Sequence, residues 1–567
     1  MQHATAETVP GSIAACEKGK SHRSGYIFLG MVLAFSAWIL SLPLMPTQDG
    51  PMHRYYVHAL DSILTHQHTY DAYEIRHPFP PYATHYFSLL ALSHLFSLDL
   101  AEEIFVVLMV VCFAYGLRYC ARSLGPSGDT VSLFVAPLLL GWTVMMGFFN
   151  YSLGVGLLLW AAGLWQQART RPWLWIAFVS VVCLLTVTHP IPLLILIALC
   201  TLDLLLRFFW QRGQVAANWP SIAAIVFLLF AFSFPAASID RTRSASTFAA
   251  FGLHPQQLAK QIALFGLSPY YAASLRAWIN LYRVSLYLVL AGSFLLGALS
   301  LRDALRARAQ RKQTANLSQT FFLSALLLAA LLTVLPDYVN GSGFFGTRMM
   351  VLVWVGLMAA AAGYRQLSAR AETWLTAVAV LFALISLVTA EVYFRPIARD
   401  LHALEQESLP SARQGIVLLG PHLDDYARRA RQVAFDPYAW AGALPFTRAD
   451  DVILDSPWID QKITPLQAVP GSPLLVDDIR MTEFSLTDPP FRPGASLPGS
   501  RQQQQFADSS VIIFAGDPAE IRAGIGSQLL PGQVDAIHCV SHTWYMVCFR
   551  NEAAPQGGSP AGGRAAQ

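Results

Sequence analysis

Residues 82–97 read YATHYFSLLALSHLFS, an apolar run only 16 residues long and interrupted by His85 and His94. A helix needs about 20 residues to cross a ~30 Å hydrocarbon core, so this run is a marginal span. Its reading sets the side of the membrane on which its neighbours lie. Counted as a span, it puts residues 47–81 on the same side as the Arg-rich loops and places Lys18, Lys20 and Arg23 outside. Basic residues collect on the cytoplasmic side, so both outcomes conflict with the charge pattern. Read as a helix lying along the membrane surface, the run removes both conflicts.

The rest of the chain demands a bilayer. Of its 567 residues 54% are hydrophobic and 13% charged, about half the charge of a soluble domain. Apolar runs at 26–46, 103–121, 131–147, 151–167, 173–188, 191–209, 220–236, 284–301, 319–335, 348–364 and 372–393 approach or reach spanning length. Backbone exposed to lipid must bond internally, and the alternation of a barrel is absent, so these spans are read as helices. The stretch RDALRARAQRK (302–312) is the strongest cytoplasmic marker. Arg365 and Arg370, Arg207 and Arg212, Arg169 and Arg171, and Arg118 and Arg122 fall on the same side.

The expectation is an all-α polytopic membrane protein with about eleven transmembrane helices and a C-terminal soluble α/β domain. Residues 1–24 form a cytoplasmic tail, and 25–395 the membrane domain, with large outer loops at 47–102 and 237–283. The first loop carries surface helices. The first span reads as an uncleaved anchor in the plasma (inner) membrane. A net charge of +3 gives no support to nucleic-acid binding.

Residues 396–552 are expected to be an extracytoplasmic domain, followed by a disordered tail at 553–567. GIVLLG (415–420), DVILD (451–455) and SVIIFAG (510–516) read as strands, 422–435 and 518–528 as helices, and 535–550 as a hairpin. Strands alternating with helices predict an α/β domain. No GxGxxG, P-loop or nucleophile-elbow spacing occurs in it. Cys539 and Cys548 flank the hairpin, and a disulfide between them requires an oxidising compartment.

Polar groups gather at the outer ends of the spans. TQDGPMHRYYVHAL (47–60) carries Asp49, His53 and Arg54, and the same loop holds His77 and His85. Asn150 sits in GFFNYSLG, His189 in THPIP, Arg241 and Arg243 at the start of loop 237–283, and Arg348 after PDYVNGSGFFGT. Such residues are costly near lipid, and their accumulation on one side points to a water-filled cavity there. Guanidinium forks match phosphate oxygens, which makes Arg241, Arg243 and Arg348 phosphate-binding candidates. Each residue has a plainer alternative. Asp49 before Gly50 and Pro51 suits an N-cap, the arginines suit snorkelling, and Asn150 and His189 suit turns.

A first span, an acid-bearing outer loop with surface helices, many further spans and an outer C-terminal domain together resemble the GT-C superfamily of integral-membrane glycosyltransferases. In that family an acidic residue early in the first outer loop supports catalysis, and Asp49 in TQDGPMHRY is the matching position. Many members carry two adjacent acids there; this chain has Gly50 instead. The resemblance implies transfer of a sugar from a polyprenyl-phosphate donor to a lipid or glycan acceptor at the outer face. Asp49 would be the base. His53, Arg54, His77, His85, Asn150, His189, Arg241, Arg243 and Arg348 would contact the substrates. No cofactor is required, and a divalent cation is compatible. A transporter or flippase for a lipid-linked or polar solute, and a non-catalytic assembly subunit, are the competing readings.

Overall fold

The computed structural model describes residues 11–65, 73–75, 82–210, 219–238, 276–309, 317–334, 345–365 and 367–406. Beyond these it describes 414–419, 444, 452–453, 466–468, 511–515, 537–541 and 545–550. It divides into two compact units. One comprises Met1–Thr47 and His77–Asp400, the other Gln48–Arg76 and Leu401–Gln567. The acid-bearing loop start therefore groups with the C-terminal part of the chain.

The first unit is helical, and the chain is a multi-pass membrane protein. Among the described residues, Leu98–Leu124, Gly128–Met145, Pro190–Phe209, Asn280–Ala307 and Ala369–Glu405 are long and apolar enough to cross a bilayer, and shorter apolar helices accompany them. The run that decided sidedness forms helix Ala83–Ser93, of 11 residues. At 1.5 Å per residue it extends about 16 Å, half a hydrocarbon core, so it is too short to be a span. The expected span 131–147 is not one smooth helix. It consists of Gly128–Ser132, a 3-10 turn Leu133–Val135, Ala136–Leu139 and Trp142–Met145. Pro137, lacking an amide hydrogen, and Gly141 account for the breaks.

Small residues let the helices Leu98–Leu124 and Phe149–Ala168 approach closely, as is common where lipid supplies no hydrophobic drive. A Cβ on Gly116 would come within 2.6 Å of the Gly156 carbonyl oxygen, and one on Gly163 within 2.6 Å of the Tyr119 ring. A fully buried acid joins three helices. Asp203 accepts from Trp165 Nε1 at 2.9 Å and Arg207 Nε at 3.0 Å, pairs with Arg169, and takes the Thr320 hydroxyl at 3.3 Å. A buried charge needs such partners, since removing one typically costs 3–5 kcal/mol. Elsewhere in the first unit, Glu391 accepts from Trp38 Nε1 at 3.0 Å and from Arg395 Nε at 2.6 Å. Arg395 also holds the Ser41 carbonyl at 2.9 Å. These bonds tie the first helix to the last.

In the second unit, helix Gly50–Leu64 is followed by strand β1, Tyr73–Ile75. Tyr73 pairs antiparallel with Ala468 of β4, Leu466–Ala468. A five-stranded sheet contains β2 (Gln414–Leu419), β3 (Val452–Ile453), β5 (Val511–Ala515), β6 (Ile537–Ser541) and β7 (Tyr545–Arg550), in the order β3-β2-β5-β7-β6. β2 runs parallel to β3 and β5, and β7 antiparallel to β5 and β6. The helices expected at 422–435 and 518–528 lie outside the described residues. Cys539 is disulfide-bonded, and Cys548 stands opposite it in register across β6 and β7.

Candidate active site

Gly147, at φ 80°, occupies the left-handed region that suits glycine. It turns the chain into helix Phe149–Ala168 and so presents Asn150 in the first turn. The Asn150 side chain is bonded at both ends. Its Oδ1 accepts the His85 amide hydrogen at 2.9 Å, and its Nδ2 donates to the Tyr82 carbonyl at 2.7 Å. Helix Ala83–Ser93 leaves its first amides without intrahelical partners, and Tyr82 makes no side-chain cap. Asn150 serves as that cap from a distant helix. Both of its amide ends are held by backbone, which gives it a structural role.

His85 is fully buried, its ring 5.0 Å from both Phe105 and Phe149 and 5.1 Å from Tyr86. Aromatic packing, rather than a place on an open loop, fixes its position. Nearby in sequence, Glu102 and Glu103 are buried in the first turns of Leu98–Leu124, near the positive end of the helix dipole.

His189 ends helix Leu174–Thr188 in an extended conformation before Pro190 starts the next helix. Its Nδ1 accepts the Ile191 amide hydrogen at 3.1 Å, which places the ring proton on Nε2. The ring meets Tyr82 edge-on at 4.9 Å and Tyr151 at 5.2 Å. Burial first, and then the Arg348 charge, hold its proton affinity well below the usual histidine range. His189 is therefore a neutral donor through Nε2. Burial raises the Tyr82 phenol, against the pull of the Arg348 charge.

Arg348, half-buried in helix Phe345–Ala362, sets its guanidinium 3.9 Å over the Phe148 ring. This cation–π contact orients the guanidinium. The Tyr151 hydroxyl donates to the Arg348 carbonyl. Thr84 and Thr188 hydroxyls meet at 3.0 Å beside the group. Arg348, His189 and Tyr82 are thus gathered from three distant parts of the chain, with Tyr151 bridging. A cation flanked by neutral N–H and O–H donors suits an anionic oxygen, above all a phosphate.

In the second unit, Asp49 stands at the N-cap position of Gly50–Leu64, and its carbonyl accepts the His53 amide hydrogen at 3.1 Å. Its side chain makes no capping bond. The backbone, at φ −90° and ψ −9°, is helical rather than in the extended region from which caps reach N2 or N3. Asp49 is nonetheless buried, at 8% exposure. The plain capping alternative therefore fails. His53 is half-buried one turn on. Arg54 forms an ion pair with Glu405, each side chain 1% exposed. Burial of the guanidinium demands such a counter-charge. Tyr55 and Tyr73 hydroxyls meet at 3.2 Å beside it. His77, Arg241 and Arg243 lie outside the described residues.

Sequence reading missed Tyr82, Tyr151 and Glu405. Tyr151 could have been noticed beside Asn150; Glu405 carries no local signal, because its partner is 351 residues away.

No family model and no curated protein matches the chain. Among solved structures it is similar to ArnT from Cupriavidus metallidurans bound to undecaprenyl phosphate, with a TM-score of 0.48 and 12% identity, covering 94% of this chain and 99% of that chain. The apo state of the same protein gives a TM-score of 0.46 at 14% identity, covering 93% and 98%. Both TM-scores are below 0.5, and the chemistry assigned to this chain rests on its own residues.

Proposed function

We propose that this protein is a membrane glycosyltransferase that moves a sugar from a polyprenyl-phosphate donor to an acceptor hydroxyl at the outer face of the membrane. The observation that carries the reading is the grouping of the Arg348 charge with the neutral donors of His189 and Tyr82. In glycosyl transfer the acceptor oxygen forms a bond to the anomeric carbon as the carbon–phosphate oxygen bond breaks. The departing phosphate takes the electron pair, and a base takes the hydroxyl proton. Arg348 would stabilise that charge, with the His189 N–H and Tyr82 O–H as auxiliary donors. Asp49, buried without capping, would be the base.

The basic loops support a cytoplasmic N-terminus in the inner membrane. The Cys539 disulfide supports an oxidising, extracytoplasmic location for the C-terminal part. The reading requires no cofactor. Purified protein in proteoliposomes, supplied with radiolabelled polyprenyl-phosphate sugars and lipid or glycan acceptors, should release polyprenyl phosphate and label the acceptor. Movement of intact donor between leaflets without sugar transfer would instead make it a flippase.

A further inference from the structure

At the far end of the helix that carries Asn150, the first unit contains a second, different site. Helix Phe149–Ala168 has 20 residues and extends about 30 Å, one hydrocarbon thickness. Beyond its C-terminal half lies an open cavity of about 570 Å³ lined by Tyr115, Arg118, Tyr119, Arg122, Trp160 and Arg171, among others. The loops at this end are the arginine-bearing ones, which the charge rule places at the inner leaflet.

Three guanidinium groups line this cavity, and one carboxylate stands beside two of them. Asp129 takes Arg118 at 2.5 Å and lies 3.6 Å from Arg122. Arg118 is further held over the Phe28 ring at 4.6 Å. Arg122 is 53% exposed, and Arg171 has no ion pair among the described residues. One carboxylate cannot neutralise three guanidinium groups, so the cavity keeps net positive charge, with Arg122 only loosely paired. The cavity wall is aromatic: Tyr119 and Trp160 stack at 4.8 Å and 26°, while Trp160 Nε1 donates to the Cys112 carbonyl at 3.1 Å. Above it, Leu108, Cys112, Tyr115 and Tyr119 follow each other at helical spacing on one face. Leu108 is exposed, and the other three are half-buried. An apolar stripe leading out of a basic pocket fits an acyl chain above a headgroup, which a free phosphate ion would leave unused.

We infer that this pocket binds the phosphate headgroup of an anionic glycerophospholipid of the inner leaflet, held by Arg122 and Arg171 with its acyl chain along the Leu108–Tyr115 face. The shared chemistry is a phosphate oxyanion. The stripe favours the lipid as its source.

The test uses the full chain in detergent, with phosphatidylglycerol, phosphatidylcholine and inorganic phosphate as probes and native mass spectrometry as the readout. Wild type should retain phosphatidylglycerol over phosphatidylcholine and keep it against millimolar inorganic phosphate. Arg122→Gln with Arg171→Gln should weaken retention about 25-fold, about fivefold per charge, whereas Arg302→Gln, at an exposed arginine outside the pocket, should leave it unchanged. Should the double variant fail to fold, Arg171→Gln alone should give the fivefold loss. Equal weakening by Arg302→Gln would mean general surface attraction, and ready displacement by inorganic phosphate would mean a free-anion site. Either result, or no lipid preference in wild type, overturns the inference.

Discussion

Arg54 and Glu405, 351 residues apart, form an ion pair in which each side chain is 1% exposed. His402 approaches the other Glu405 oxygen at 3.4 Å. The pair joins the start of the acid-bearing segment to the end of the last long helix, inside the second unit. Glu405→Gln leaves the guanidinium buried without its counter-charge, at a cost of about 3–5 kcal/mol. Replacing both partners, Arg54→Met with Glu405→Leu, should recover most of that loss. Thermal unfolding of the two variants in detergent checks the ordering.

Arg348 is assigned a charge-assisted bond to phosphate, worth about 1.5–3 kcal/mol. Arg348→Gln should therefore lower transfer by about 10- to 100-fold. Arg348→Lys should rescue only part of this, because an ammonium keeps the charge but loses the planar fork and the stacking on Phe148. Initial rates over a donor concentration series measure the effect.

The depressed proton affinity of His189 makes a pH prediction. Above the free-histidine value of about 6.5 both folded and unfolded chains hold a neutral ring, and the group contributes no pH dependence. Below it the unfolded chain takes up a proton that the native site refuses, so stability falls as pH falls. The slope has a limit of about 1.4 kcal/mol per pH unit. His189→Gln should flatten the difference in melting temperature between pH 7.5 and 5.5. An unchanged difference would remove the neutral assignment of the ring.

Cys539 and Cys548 predict an oxidised hairpin. Maleimide mass-tagging of unreduced, denatured protein should leave both unlabelled, while Cys112, Cys120, Cys183 and Cys200, which are free thiols, react. Labelling of both hairpin cysteines without reductant would count against an oxidising location.

Hydropathy and charge were enough to read the membrane class and the shortness of the helix at residues 83–93, because span length and loop charge act locally. The strands β2, β3 and β5 were legible from short apolar runs. Roles set by distant partners were not. Asn150 looks like a turn residue until Tyr82 and His85 are brought beside it, and Arg54 looks available until Glu405 arrives. Asp49 followed by Gly-Pro reads as a helix cap, and only its backbone angles show that its side chain does not cap. The grouping of Arg348 with His189 needed the helices to be packed.

The central claim is that Asp49 is the base. Because its side chain makes no cap bond, Asp49→Asn should leave the fold without the usual capping loss of about 1 kcal/mol. The deciding measurement is sugar transfer from a labelled polyprenyl-phosphate donor by wild-type and Asp49→Asn protein, in proteoliposomes matched for insertion and melting temperature. The account predicts a loss of about 10²- to 10⁴-fold, the range for a general base. Undiminished transfer by the variant would contradict it.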